Sequence, residues 1–117
     1  MSRIRFALLA ALIASLVVAA TASAAPVKLS AVVGPAFNIS LKKGSKKVAT
    51  LKAGKYTITV PDKSNIHNFH LTGPGVNKKT GVGFTGTAKW TVTLKKGTYK
   101  FVCDPHIAIM KGSFKVT

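Results

Sequence analysis

Tyr56-Thr57-Ile58-Thr59-Val60 puts an apolar side chain at every second position, and Trp90-Thr91-Val92-Thr93-Leu94 does the same. That period belongs to a β-strand with one face on a core and the other in water. From Val27 onward the chain keeps this character. Short segments rich in Val, Ile, Thr, Tyr and Phe are separated by Gly, Pro, Asn and Lys-Lys-Gly punctuation, and no stretch holds a helical period. Strands are predicted over Val27 to Val33, Phe37 to Leu41, Lys55 to Val60, Ile66 to Leu71, Lys89 to Leu94, Thr98 to Cys103 and Gly112 to Thr117, with a weaker one over Gly81 to Thr85. Seven to eight short strands imply an all-β sandwich or barrel. Leu51-Lys52-Ala53-Gly54-Lys55-Tyr56 and Leu94-Lys95-Lys96-Gly97-Thr98-Tyr99 share Leu-Lys-x-Gly-x-Tyr ahead of a strand. The echo predicts two corners at which a Tyr buries its ring and returns its hydroxyl to the turn.

The first residues do not belong to that pattern. Arg3 and Arg5 precede an apolar stretch from Phe6 to Ala20, followed by Thr21-Ala22-Ser23-Ala24. A basic start, an apolar middle and small residues at a cleavage point are the order of a cleavable signal peptide, expected over residues 1–24. The rival, a retained membrane anchor, needs ~20 apolar residues, and this stretch is shorter. Residues 25–117 then form one exported domain, periplasmic or extracellular, with no transmembrane segment after cleavage. Within it every cation but the histidines is a lysine, and Asp62 and Asp104 are the only acids. So large a positive excess governs association and solubility rather than fold, and favours a monomer in solution.

Export gives the single cysteine, Cys103, an oxidising environment in which a lone reactive thiol needs a purpose. It reads as an inert core residue, as half of an intermolecular disulfide, or as a metal ligand. Cys103-Asp104-Pro105-His106-Ile107-Ala108-Ile109-Met110 favours the ligand, because His106 and Met110 follow it within one short loop between two strands. Upstream, His67-Asn68-Phe69-His70 offers the fourth donor. Strand alternation puts His67 on the side of the apolar Phe69 and leaves His70 facing solvent, so His67 is the expected ligand. Two imidazoles, one thiolate and a weak thioether are the donors of a type 1 copper site, since soft sulfur suits Cu(I) and imidazole accepts both oxidation states. Structural zinc takes Cys and His without Met.

With those residues in view, the chain resembles the small blue copper proteins of the plastocyanin-like (cupredoxin) family, over essentially all of residues 25–117. The motifs are His67-Asn68 upstream, Cys103-Asp104-Pro105-His106 with Met110 downstream, and Lys111-Gly112-Ser113-Phe114 entering the last strand. The resemblance implies a Greek-key sandwich and one copper held by His67, Cys103, His106 and Met110. It also implies that Asn68 hydrogen-bonds to the Cys-bearing segment. The spacing between His106 and Met110 lies between those of plastocyanins and amicyanins, which leaves the copper–thioether distance open.

Nothing in the sequence adds an enzyme's equipment to such a site. There is no second Cys for a binuclear copper centre, no further His cluster, and no acid pair or nucleophilic triad. The expected function is shuttling of single electrons between redox partners, which the resemblance implies pass through the edge of His106, beside an apolar docking patch that includes Ile107 and Ile109. The alternative is an envelope protein that sequesters or delivers copper without a redox partner. The lysines point to acidic partner proteins or an anionic envelope surface. Nucleic acid is disfavoured, because the lysines are spread over several turns and residues 25–117 contain no arginine.

Overall fold

The computed structural model describes residues 11–18 and 24–117. The expected signal peptide lies outside these residues except for 11–18 and Ala24, and no helix among the described residues is long and apolar enough to cross a membrane. Ten strands run along the described residues: β1 (Val27–Val33), β2 (Ile39–Lys43), β3 (Lys46–Lys47), β4 (Thr50–Leu51), β5 (Gly54–Asp62), β6 (His70–Gly73), β7 (Val76–Lys79), β8 (Gly86–Leu94), β9 (Gly97–Val102) and β10 (Lys111–Val116). They form two five-stranded sheets, β3-β2-β1-β5-β8 and β4-β10-β9-β6-β7. Eight have four or more residues, which agrees with the expected sandwich.

The alternation read in Tyr56 to Val60 is realised in β5, where Tyr56, Ile58 and Val60 are buried and the threonines between them are half-buried. Between the sheets Tyr99 stacks on Phe114 at 5.3 Å and Phe69 on Phe101 at 5.5 Å, offset geometries that add to the burial of each ring. Both tyrosine corners are present. Tyr56 donates to the Lys52 carbonyl (2.6 Å), while the Tyr99 hydroxyl accepts from the Lys95 amide (2.9 Å) and donates to Pro74 (2.7 Å).

Strand direction sorts the loops into two poles. β1 and β5 are parallel, Asp62 pairs with Gly86, and Val102 pairs with both His70 and Lys111. One pole therefore gathers the loops around residues 34–38, 63–69, 80–85 and 103–110. The opposite pole gathers the tight turns at residues 44–45, 52–53, 74–75 and 95–96.

Two expectations fail. Ile66 to Leu71 is not one strand: β6 begins at His70, and His67, Asn68 and Phe69 are all buried, so the chain does not alternate there. This segment lies inside the end of the sandwich with protein on both sides, and the buried Asn68 is admitted because its side chain finds partners. Gly81 to Thr85 is a loop. The strand in that region is β7, which pairs with β6 and has Val76 as its one buried residue.

Candidate metal centre

Cys103 follows the last residue of β9, and its backbone N–H donates to the Met110 carbonyl (3.0 Å), closing the loop where β10 begins. Between them Asp104–His106 form a single 3-10 turn with Pro105 in its first positions, where a fixed φ and a missing N–H cost nothing. The His106 amide donates to the Cys103 carbonyl (3.0 Å), and the amides of Ile109 (3.0 Å) and Met110 (2.8 Å) donate to the His106 carbonyl. Backbone bonds thus hold Cys103, His106 and Met110 on one small closed loop.

His67 comes to this loop from the other sheet's side. Gly34 makes room for it: a Cβ at Gly34 would stand 2.9 Å from His67 Cδ2, and φ is +63° there, so glycine is required twice over. Phe37 packs edge-on against both imidazoles, 5.3 Å from His67 and 4.9 Å from His106. The sequence reading placed Phe37 in a strand. It lies in the loop before β2, more than half exposed, and no periodic signal marks a lone aromatic in a loop.

The donor atoms converge. His67 Nδ1 lies 3.1 Å from His106 Nδ1 and 3.7 Å from Cys103 Sγ, and His106 Nδ1 lies 3.5 Å from the same sulfur. A circle through three atoms so spaced has a radius of about 2.0 Å, close to the ~2.0–2.3 Å at which imidazole nitrogen and thiolate sulfur bind a first-row metal ion. Met110 is fully buried beside them. One thiolate, two imidazoles and a thioether form a donor set suited to copper, and the spacing of the first three fits it.

Asn68 joins the two segments. Its side-chain amide donates to the Asp104 carboxylate (2.8 Å) and the Thr80 carbonyl (3.1 Å), its Oδ1 accepts from the Asp104 amide (2.7 Å), and its backbone N–H donates to Cys103 Sγ (3.4 Å). The network extends to a residue expected to face solvent without a partner. His70 is half-buried, with Nδ1 2.8 Å from the Asp104 carboxylate and Nε2 2.7 Å from Asn77 Oδ1. The hydrogen bond that His70 donates to the Asp104 carboxylate raises the His70 pKa above its ordinary value against the opposing effect of burial. For Asp104 burial acts upward, but the hydrogen bonds from His70 and Asn68 outweigh it and hold the carboxyl below the ordinary range. Asp104 therefore does more than occupy a turn: it fastens the Cys loop to Asn68 and His70.

Asp62, missed in the sequence, is buried where β5 ends. Burial pushes its pKa up, while the Ser64 N–H and the neighbouring His67 draw it down. Its Oδ2 and His67 Nε2 are the two buried side-chain polar atoms without a partner among the described residues.

The family model of copper binding proteins, plastocyanin/azurin family, matches residues 36–117. The chain belongs to this family. Copper is accordingly the metal this pole is built for, and the observed sandwich is the cupredoxin fold. Among solved structures the chain is similar to reduced rusticyanin at 26% identity and a TM-score of 0.52, over 82% of each chain. It also resembles, in fold, a chain from a heme-copper terminal oxidase dimer at 21% identity and a TM-score of 0.51, over 69% of this chain and 57% of that one. No curated protein matches it in sequence.

Proposed function

We propose that this cupredoxin is an exported carrier of single electrons, in which His67, Cys103, His106 and Met110 would hold the copper. The observation that carries the ligand assignment is the convergence of two Nδ1 atoms and one Sγ at the spacing of a single metal ion. Copper in such a site supplies a one-electron couple that thiolate and imidazole tolerate in both oxidation states.

The rest is the work of the chain. The closed Cys103–Met110 loop and the Asn68 clamp fix the donors through protein hydrogen bonds, so that little must move when an electron arrives. The Asn68 N–H directed at Cys103 Sγ helps to hold the sulfur in place. His67, Cys103 and Met110 are buried while His106 is only half-buried, so His106 offers the surface route. Exposed Phe37, Ile66, Ile107 and Ile109 stand at the same pole and form an apolar rim for a redox partner. Contacts of that kind suit encounters that dissociate as readily as they form.

The visible and EPR spectra of the Cu(II)-loaded protein test this reading. An intense thiolate-to-copper band is expected, absent in Cys103→Ser and in His67→Ala but kept in His70→Ala. Weak absorption of tetragonal copper refutes the type 1 assignment. A blue site without reversible one-electron reduction leaves copper sequestration as the better reading.

A further inference from the structure

The two poles of the sandwich differ in chemistry as well as in position. Every exposed large apolar side chain of residues 28–117, namely Phe37, Ile66, Val82, Phe84, Ile107 and Ile109, belongs to the copper pole, and both acids of the chain, Asp62 and Asp104, lie there too. The opposite pole carries exposed Lys43, Lys46, Lys47, Lys52, Lys95 and Lys96 on separate turns, with no Asp or Glu among them. Its β2–β3 hairpin places Lys42 opposite Lys47 and Lys43 opposite Lys46. Like charges directly across a ladder destabilise it, so this hairpin is left with a repulsion that an external anion relieves.

We infer that the lysine pole rests on an anionic phospholipid surface and holds the copper pole outward, free to meet a redox partner. Three features favour lipid headgroups over an acidic protein. The lysines span several turns across the whole pole, which matches a diffuse sheet of charge. A protein interface needs a desolvated apolar centre, whereas within residues 25–117 this pole exposes only Val27 among large apolar residues. The chain also enters the domain here: Ala24 and Ala25 line a recess of about 560 Å³ with Lys43, Lys52, Lys55 and Tyr56. The segment expected to engage the export membrane thus joins the domain at the lysine pole.

The test is co-sedimentation of the purified protein with vesicles of phosphatidylcholine containing phosphatidylglycerol, and it reads the same with or without copper. Each lysine near an anionic surface adds about fivefold to partition at low salt. Lys43→Gln, Lys46→Gln, Lys95→Gln and Lys96→Gln together should therefore weaken binding on the order of a hundredfold or more. Lys63→Gln with Lys111→Gln, at the copper pole, should change it far less. Binding by the unmodified protein should also vanish as salt shortens the Debye length from ~10 Å at 0.1 M toward ~3 Å at 1 M. Equal loss in both sets of variants, salt-insensitive binding, or equal uptake by pure phosphatidylcholine overturns the inference. So does tight binding of polyglutamate by a protein that leaves the anionic vesicles in the supernatant. The visible spectrum of each variant reports on the copper site separately, so neither result stands in for the other.

Discussion

Replacing Asn68 with Leu should cost stability before any metal is added, because the clamp is made by protein groups alone. The side chain is almost wholly buried and makes three hydrogen bonds: two donated, to Thr80 O and Asp104 Oδ2, and one accepted, from the Asp104 amide. Leucine fills a similar volume but leaves the buried Thr80 carbonyl and the Asp104 amide unpaired. Because Asp104 is partly exposed, the two unpaired neutral groups cost ~1–2 kcal/mol each, the lower part of the usual range, and the lost bond to a carboxylate adds ~1 kcal/mol. The total is about 3 to 5 kcal/mol, a large share of the ~5–15 kcal/mol that holds a domain of this size. In urea, with a slope of ~1.3 kcal/mol/M, the midpoint of the metal-free protein should fall by ~2–4 M. Asp104→Ala should lose less, since its backbone amide still bonds to Asn68, and the double variant should show a coupling of ~1–2 kcal/mol. The backbone N–H of residue 68 remains in the Leu variant, so its contact with Cys103 Sγ and the blue band should survive. A midpoint within ~0.5 M of the unmodified protein would refute the clamp.

The other predictions concern pH, packing and docking. The raised pKa of His70 contributes stability that is complete below 6.5 and fades as pH climbs through its folded value; the lowered pKa of Asp104 contributes above 3.8 and is lost as pH falls through its folded value. His70→Gln should therefore cost up to ~1 kcal/mol between those limits and less on either side, as pH-resolved thermal melts will show, the figure being discounted because Asp104 is partly exposed. Gly112→Ala drives a methyl into the ring of Phe101, its cross-strand partner, and should lower stability by ~1–3 kcal/mol in denaturant titrations. Ile109→Glu should slow electron exchange in stopped flow while leaving the copper spectrum unchanged; exchange as fast as that of the unmodified protein removes this face from the docking surface.

The sequence disclosed whatever obeys a period or lies within one loop. β1 has its predicted bounds because Leu29, Ala31 and Val33 are buried in turn, and each tyrosine corner has a bond to a neighbour four residues away. The copper loop was legible for the same reason, with three donors inside Cys103 to Met110. Parity failed at His67 to Phe69, since alternation reports a face only when the other face is wet. It selected His67, yet it overlooked the partners of His70. β7 escaped because it is an edge strand with three polar residues and one buried valine.

What the pattern of residues hid was which polar groups meet, although the resemblance implied that Asn68 reaches the Cys-bearing segment. Asn68 and Asp104 are 36 residues apart, and His70 and Asp104 are 34 apart. A lone Asp after a Cys, or a His at the start of a short strand, carries no signal of such a partner, because hydrogen bonds leave no period in sequence. Those long-range contacts nevertheless bear on the choice between carrying electrons and storing copper. Storage is served by donors that open and release the ion. Here His67 is wedged against Gly34 and Phe37, Cys103 is bonded through its amide to Met110 and through its sulfur to Asn68, and His106 is held by a turn whose amides point back to its carbonyl. Releasing the ion along the His67 side would first break the buried Asn68 clamp, at several kcal/mol by the estimate above. Adding or removing one electron requires no such break, and a frame this costly to open is suited to a charge that changes while its ligands stay in place.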